Sequence, residues 1–286
     1  MRSNLRTRVM TALALAVVVI GTLATGSTAL WAALVTCFCG AAAWEFARLS
    51  PTASRAKIIT ACVILAALVA AFAVALFVGV KESDSEMATR RFKSFLPFLL
   101  LAAVFWLAVV PFQLSRRSIA LHSWPSVLIM PIVIGGAWLS AVLLQRAGAR
   151  FLIAVVVVTV VADVAGYFVG RKFGRIKLAP SISPGKTREG AIGGIVAAAV
   201  WAAAMSFYLG LCSGMLQLMF AAAAGAFLGA SAVMGDLWES QLKRQAGVKD
   251  SSQLLPGHGG VLDRIDAQLA VLPLATVLLT LVKPLW

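Results

Sequence analysis

The chain has 286 residues, of which 61% are hydrophobic and 13% charged, with a formal net charge of +14 and a mean hydropathy of +0.94. One soluble core of this size cannot hide that much apolar surface, which excludes an ordinary globular protein and leaves a polytopic membrane protein. The positive charge does not argue for nucleic acid, because the basic residues stand at the ends of apolar runs, where cytoplasmic loops collect Lys and Arg.

The opening stretch, Arg2, Arg6 and Arg8 followed by MTALALAVVVIG and small residues, imitates a secretory signal. Further apolar runs follow it, so we read it as the first transmembrane helix. At about 20 apolar residues per crossing, hydropathy predicts nine spans, near 10–25, 28–47, 58–80, 95–113, 126–145, 151–170, 191–212, 215–235 and 264–282. The architecture expected is all-α, with the N-terminus in the cytoplasm. That threading puts most of the 25 basic residues on the inner side, including Lys186, Arg188, Lys243, Arg244, Lys249 and Arg264. Cys37, Cys39, Cys62 and Cys212 lack zinc-ligand spacing with a histidine and read as small apolar residues. Glycines at helical spacing (Gly166, Gly170 and Gly174; Gly190 and Gly194; Gly225 and Gly229) read as faces for close helix packing.

The acids are sparse. Glu45 ends the second span, and Glu82, Asp84 and Glu86 share the loop after the third. The other seven of the eleven fall between residues 163 and 266. An acid at the centre of a membrane helix costs about 2.5–3.5 kcal/mol on insertion scales, so a cation, a basic partner or a wet cavity should compensate it. Asp163 lies deepest, in FLIAVVVVTVVADVAGYFVG, and reads as a site residue ahead of a packing carboxylate. Asp236 and Glu239 share a helix face at i,i+3, with Ser240 beside Asp236, and Asp263 and Asp266 repeat the spacing. Two readings stay open for the second pair: acids complementing a helix N-terminus, or ligands of a divalent metal, whose hard charge suits carboxylate oxygens.

Two polar segments complete the pattern. SISPGKTREG, residues 181–190, puts Ser183, Lys186, Thr187 and Arg188 just before a span, where a Gly/Ser-rich turn presents free N–H groups to an anion. Its glycine spacing is not that of a Walker A loop. Residues 240–266, SQLKRQAGVKDSSQLLPGHGGVLDRID, mix both signs of charge around a glycine turn containing His258. That histidine reads equally well as structural or functional.

Together these residues resemble the phosphatidate cytidylyltransferase, or CDP-diacylglycerol synthase, family. Its C-terminal signature is matched by Ser240, Lys243, Arg244, Lys249, Asp250, Pro256, His258, Gly259, Gly260, Asp263, Arg264 and Asp266. An upstream block is matched by Asp163, Gly166, Tyr167, Gly170 and Arg171, then Ser183, Pro184, Lys186, Thr187, Glu189 and Gly190. Close similarity covers roughly residues 160–270; earlier residues agree only in hydropathy and in the Asn4–Arg8 pattern. The resemblance implies one membrane domain, residues 1–150 forming an N-terminal helical part and 151–286 the catalytic part. It implies transfer of CMP from CTP to phosphatidate, with Mg2+ as cofactor, one ion or two.

On this reading the catalytic residues are Asp236, Asp263, Lys186, Lys243, Arg244, His258 and Arg264. Substrate binding falls to Ser183, Lys186, Thr187, Ser240, Lys243, Arg244, Lys249, Gly259 and Gly260. The metal falls to Asp236, Asp263, Asp266 and Glu239, with Asp163, Glu189 and Asp250 as further ligands or orienters. The partners implied are CTP, phosphatidate, membrane lipids and a second copy of the chain in a homodimer, and no nucleic acid. The location implied is a bacterial inner membrane, with the site at its cytoplasmic face. Two rival classes make different demands on the sequence. A secondary transporter would show a repeat between halves and a midplane site. A CTP-dependent polyprenol or dolichol kinase would move the γ-phosphate instead.

Overall fold

The computed structural model describes residues 2–50, 54–77, 85–117, 119 and 127–282. Glu82, Asp84 and the end of the predicted third span at 78–80 lie outside the described residues. Among the described residues, nine helical stretches are long and apolar enough to cross a membrane, as hydropathy predicts. In chain order they are α1 (Arg2–Ala24), α2 (Thr28–Arg48), α3 (Arg55–Phe77), α4 (Ser85–Val104) continuing through a π-helical turn (Phe105–Val109) into α5 (Val110–Ser115), α6 (Ile129–Ala147), α7 (Ala149–Phe173), α8 (Arg188–Tyr208), α9 (Met215–Gln245) and α10 (Leu262–Val282). Glu86, expected in a loop, falls within α4.

Local chemistry explains several boundaries. Ser27 caps α2 by accepting from Leu30 N, and Thr187 caps α8 by accepting from Gly190 N. In α4–α5, Pro97 and Pro111 each lack an N–H for the helix ladder, and the π turn lies between them. That turn delivers Phe105 and Trp106 to the core, where both rings pack against Trp238 of α9. The Trp238 indole N–H donates to Gln113 Oε1 at 2.8 Å, pinning α9 to α5.

The most buried helix is α6, surrounded by α2, α3, α4, α7 and α10. A second layer is the sequential trio α7, α8 and α9, with α10 packed against both layers. Here glycine decides the spacing. A Cβ at Gly194 would lie 2.5 Å from the Ala162 carbonyl oxygen, and one at Gly190 2.7 Å from that of Gly166. Backbone therefore meets backbone between α7 and α8.

Two findings depart from the sequence reading. The polar segment before α8 is a small antiparallel hairpin, β1 (Lys177–Ala179) and β2 (Ser183–Thr187), with Lys177 opposite Thr187. Helix α9 runs about ten residues past its expected end near 235, because its polar tail is itself helix-forming and carries the i,i+4 pair Glu239–Lys243. Of the four free cysteines, Cys39 is buried, Cys62 and Cys212 are partly buried, and Cys37 is exposed at the helix surface.

Candidate active site

The acids meet because α9 and α10 run antiparallel in close contact. A Cβ at Gly235 would lie 2.7 Å from the Asp266 carbonyl oxygen, so the absence of a side chain there lets the two backbones touch. In an antiparallel pair, a residue further along one helix faces a residue earlier in the other. Asp236 accordingly groups with Asp266, and Glu239 with Asp263. The i,i+3 pairs of the sequence are thus redistributed into two groups, each holding a lysine.

The first group contains Asp236, Asp266 and, from α7, Asp163, which interact electrostatically with one another and with Lys186. Lys186, carried by β2, is ion-paired with Asp236. The Ser240 hydroxyl donates to the same carboxylate at 3.2 Å. Beside them opens a cavity of about 410 Å³, whose walls include Asp163, Tyr167, Arg171, Ser183, Lys186 and Thr187. Its lining thus combines two cations and three hydroxyls with one carboxylate.

In the second group, Lys243 bridges Glu239 and Asp263, its ammonium 2.7 Å from Asp263 Oδ1. The other Asp263 oxygen accepts from Gly260 N at 2.8 Å and from Ser251 N and Oγ at 3.0 Å. The glycine turn is wrapped around this carboxylate: Gly259 has φ +84°, and a Cβ on it would come within 2.8 Å of Asp263 Oδ2. Glycine is thus required twice over, for conformation and for space.

Other predicted residues stand apart from these groups. The Arg244 guanidinium donates to the carbonyls of Ile182 and Val248, tying the β-hairpin to the loop after α9. The Glu189 carboxylate accepts from Ile176 N at 3.2 and 3.3 Å and closes the base of the hairpin. Lys249, Asp250 and Arg264 are exposed, and the Arg264 charge reaches Asp163. His258 is half-buried, its Nδ1 shielded from solvent with no hydrogen-bond partner among the described residues.

The sequence reading missed the N-terminal contribution. Glu45, at the end of α2, is fully buried and accepts four hydrogen bonds from the 251–262 segment. In the N-terminal half of α1, Thr11 Oγ1 donates to the Pro256 carbonyl at 3.0 Å, and Arg8 lies against Gly257. The one signal was a carboxylate at the end of a long apolar run.

For a divalent cation the donor chemistry fits in kind, since Asp163, Asp236 and Asp266 are hard oxygen donors facing each other. Asp236 already attracts a cation, the Lys186 ammonium. Among the described residues, however, no three His, Cys, Asp or Glu side chains stand close enough to cage an ion as they are placed.

The model of the cytidylyltransferase family matches residues 6–282. The chain belongs to that family. A phosphatidate cytidylyltransferase of Pseudomonas aeruginosa is 35% identical over 280 residues, spanning 96% of this chain and 97% of the relative. Phosphatidate cytidylyltransferases of Haemophilus influenzae and Bacillus subtilis are 45% and 43% identical, over 44% and 48% of this chain and 44% and 50% of their own. Chemistry between two phosphate groups asks for anion neutralisation more than for a strong base, and the lysine–carboxylate groups described above are built from such parts.

Proposed function

We propose that the protein is a phosphatidate cytidylyltransferase, transferring CMP from CTP to phosphatidate to give CDP-diacylglycerol and pyrophosphate. The observation that carries this reading is the meeting of Asp163, Asp236 and Asp266 with Lys186 beside one cavity, in a chain matched by the cytidylyltransferase family almost end to end. In the reaction, a phosphate oxygen of phosphatidate attacks the α-phosphorus of CTP. One P–O bond forms, the bond to the β-phosphate oxygen breaks, and pyrophosphate leaves. The nucleophile is already anionic, so the obstacle is the repulsion between two anions.

Lys186 and Lys243 answer that repulsion. Each is held by carboxylates in the described arrangement and can turn to a phosphate oxygen. Ser183 and Thr187 offer hydroxyls from the cavity wall. Arg244 holds the hairpin against the 246–250 loop, which keeps Lys186 over Asp236. Asp236 and Asp266, facing Asp163, would hold a Mg2+ ion, with Asp263 and Glu239 as the adjoining carboxylate pair. When bound, that ion neutralises the triphosphate and the departing pyrophosphate.

The site belongs on this reading to the cytoplasmic edge of a bacterial membrane, where CTP arrives from water and the lipid from the side. Supporting that side, the N-terminal half of α1, the end of α2 and the loops after α7 and α9 all gather at one end of the bundle, the end rich in Lys and Arg. A homodimer is part of the same proposal.

The test is lipid-dependent pyrophosphate release from CTP by the purified protein in detergent with Mg2+. Release that requires phosphatidate and stops on chelation is expected. CTP turnover indifferent to phosphatidate would overturn the reading.

A further inference from the structure

Glu45 comes from the N-terminal part of the chain, far in sequence from the motif segments, yet its carboxylate lies at the centre of the motif loop. Its side chain is fully buried at the C-terminal end of α2. Oε1 accepts from Ser252 Oγ at 2.6 Å and Val261 N at 2.9 Å; Oε2 accepts from Ser251 Oγ at 3.0 Å and Leu262 N at 2.6 Å. One carboxylate thus ties both ends of the loop that carries Pro256, His258, Gly259 and Gly260. Two of its four donors are the N–H groups that open α10, which no carbonyl within that helix can satisfy.

The contact continues to the site. Ser251 Oγ stands 3.0 Å from both Glu45 Oε2 and Asp263 Oδ2, so one hydroxyl joins the two carboxylates, donating its single proton to one at a time. Asp263 in turn holds Lys243. Gly260 shows how tightly the pieces fit. A Cβ there would collide with Ser251 Oγ and come within 2.6 Å of both Glu45 oxygens.

We propose that Glu45 is a positioning residue for nucleotidyl transfer, fixing Asp263 and, through it, Lys243 by gathering the two ends of the 251–262 loop. It touches no substrate itself and acts through Ser251 and the first turn of α10. The inference rests on the activity proposed above, and the design below separates the two.

Glu45→Gln keeps the size of the side chain but sets an amide NH2 against two of the four donors. Cytidylyl transfer is measured for wild type, Glu45→Gln, Ser251→Ala and the double variant in one series, with Tm read on each preparation. Expected are a kcat reduced about 10- to 100-fold in Glu45→Gln, in the range for residues that orient a site's ligands, and KM for CTP within about threefold of wild type. Also expected is a double variant no slower than about threefold below the worse single one, because both act through the same contact. A Glu45→Gln enzyme with wild-type kcat overturns the proposal, as does a loss that multiplies independently with that of Ser251→Ala. If Glu45→Gln does not fold, Ser251→Ala decides alone, since it spares three of the four bonds. A kcat loss of about tenfold at unchanged Tm supports the proposal, and a wild-type kcat overturns it. An inactive wild type in the same series strikes the proposed function instead.

Discussion

Removing Lys243 tests the electrostatics of the site most severely. Its ammonium is shared by Glu239 and Asp263, whose side chains are 1% and 5% exposed, while Lys243 itself is 12% exposed. Lys243→Met keeps the aliphatic length and deletes the charge, leaving two carboxylates facing each other in a poorly hydrated site. Removing one partner of a buried ion pair costs about 3–5 kcal/mol. Because a single ammonium serves both acids, the two losses do not add. Asp263 also retains its bonds from Gly260 and Ser251. At about 2–4 °C per kcal/mol, the expected fall in Tm is roughly 6–20 °C, read by intrinsic fluorescence on detergent-solubilised protein. Pairing the change with Glu239→Gln removes one of the stranded charges and should recover at least half of that fall, while transfer activity stays lost. A Lys243→Met protein with wild-type Tm would refute the reasoning, because it would mean that water already compensates these acids.

Other outcomes follow from the same geometry. Asp236→Asn should lower transfer by about 100-fold or more, beyond the loss typical of outer contacts to a metal site. Its Tm should stay within about 4 °C of wild type, since an exposed pair contributes about 0–1 kcal/mol and, for this partly buried one, neutralising Asp236 also relieves its repulsion with Asp163 and Asp266. Gly194→Val places a branched side chain against the Ala162 carbonyl and should destabilise the α7–α8 contact by about 1–3 kcal/mol. Thermal unfolding checks the stability change, and a matching drop in activity would follow from widening the cavity that Asp163 and Thr187 line together.

The nine crossings were legible because length and hydropathy alone decide them, and the acids stood out because charge is rare in such a chain. Which acids face which was not legible. The i,i+3 spacing of Asp236 with Glu239 describes one helix, whereas the groups form between antiparallel helices brought into contact at Gly235. The glycine repeats showed that close packing would occur without naming partners; Gly190 against Gly166 emerged only in three dimensions. Hydropathy ended the eighth span near 235 because it registers polarity, while the backbone continued as helix to Gln245. Glu45 was hidden for a different reason: all four of its donors lie more than 200 residues away in sequence.

The central claim, that this site moves a nucleotidyl group onto a lipid phosphate, is tested most directly by the fate of labelled CTP. Purified protein with phosphatidate and Mg2+ is given CTP labelled at either the α- or the γ-phosphate, and the lipid is extracted. Label is expected in the lipid from the α-position alone, and reduced about 100-fold or more with Asp236→Asn. Lipid label from the γ-position alone would contradict it and make the protein a CTP-dependent lipid kinase.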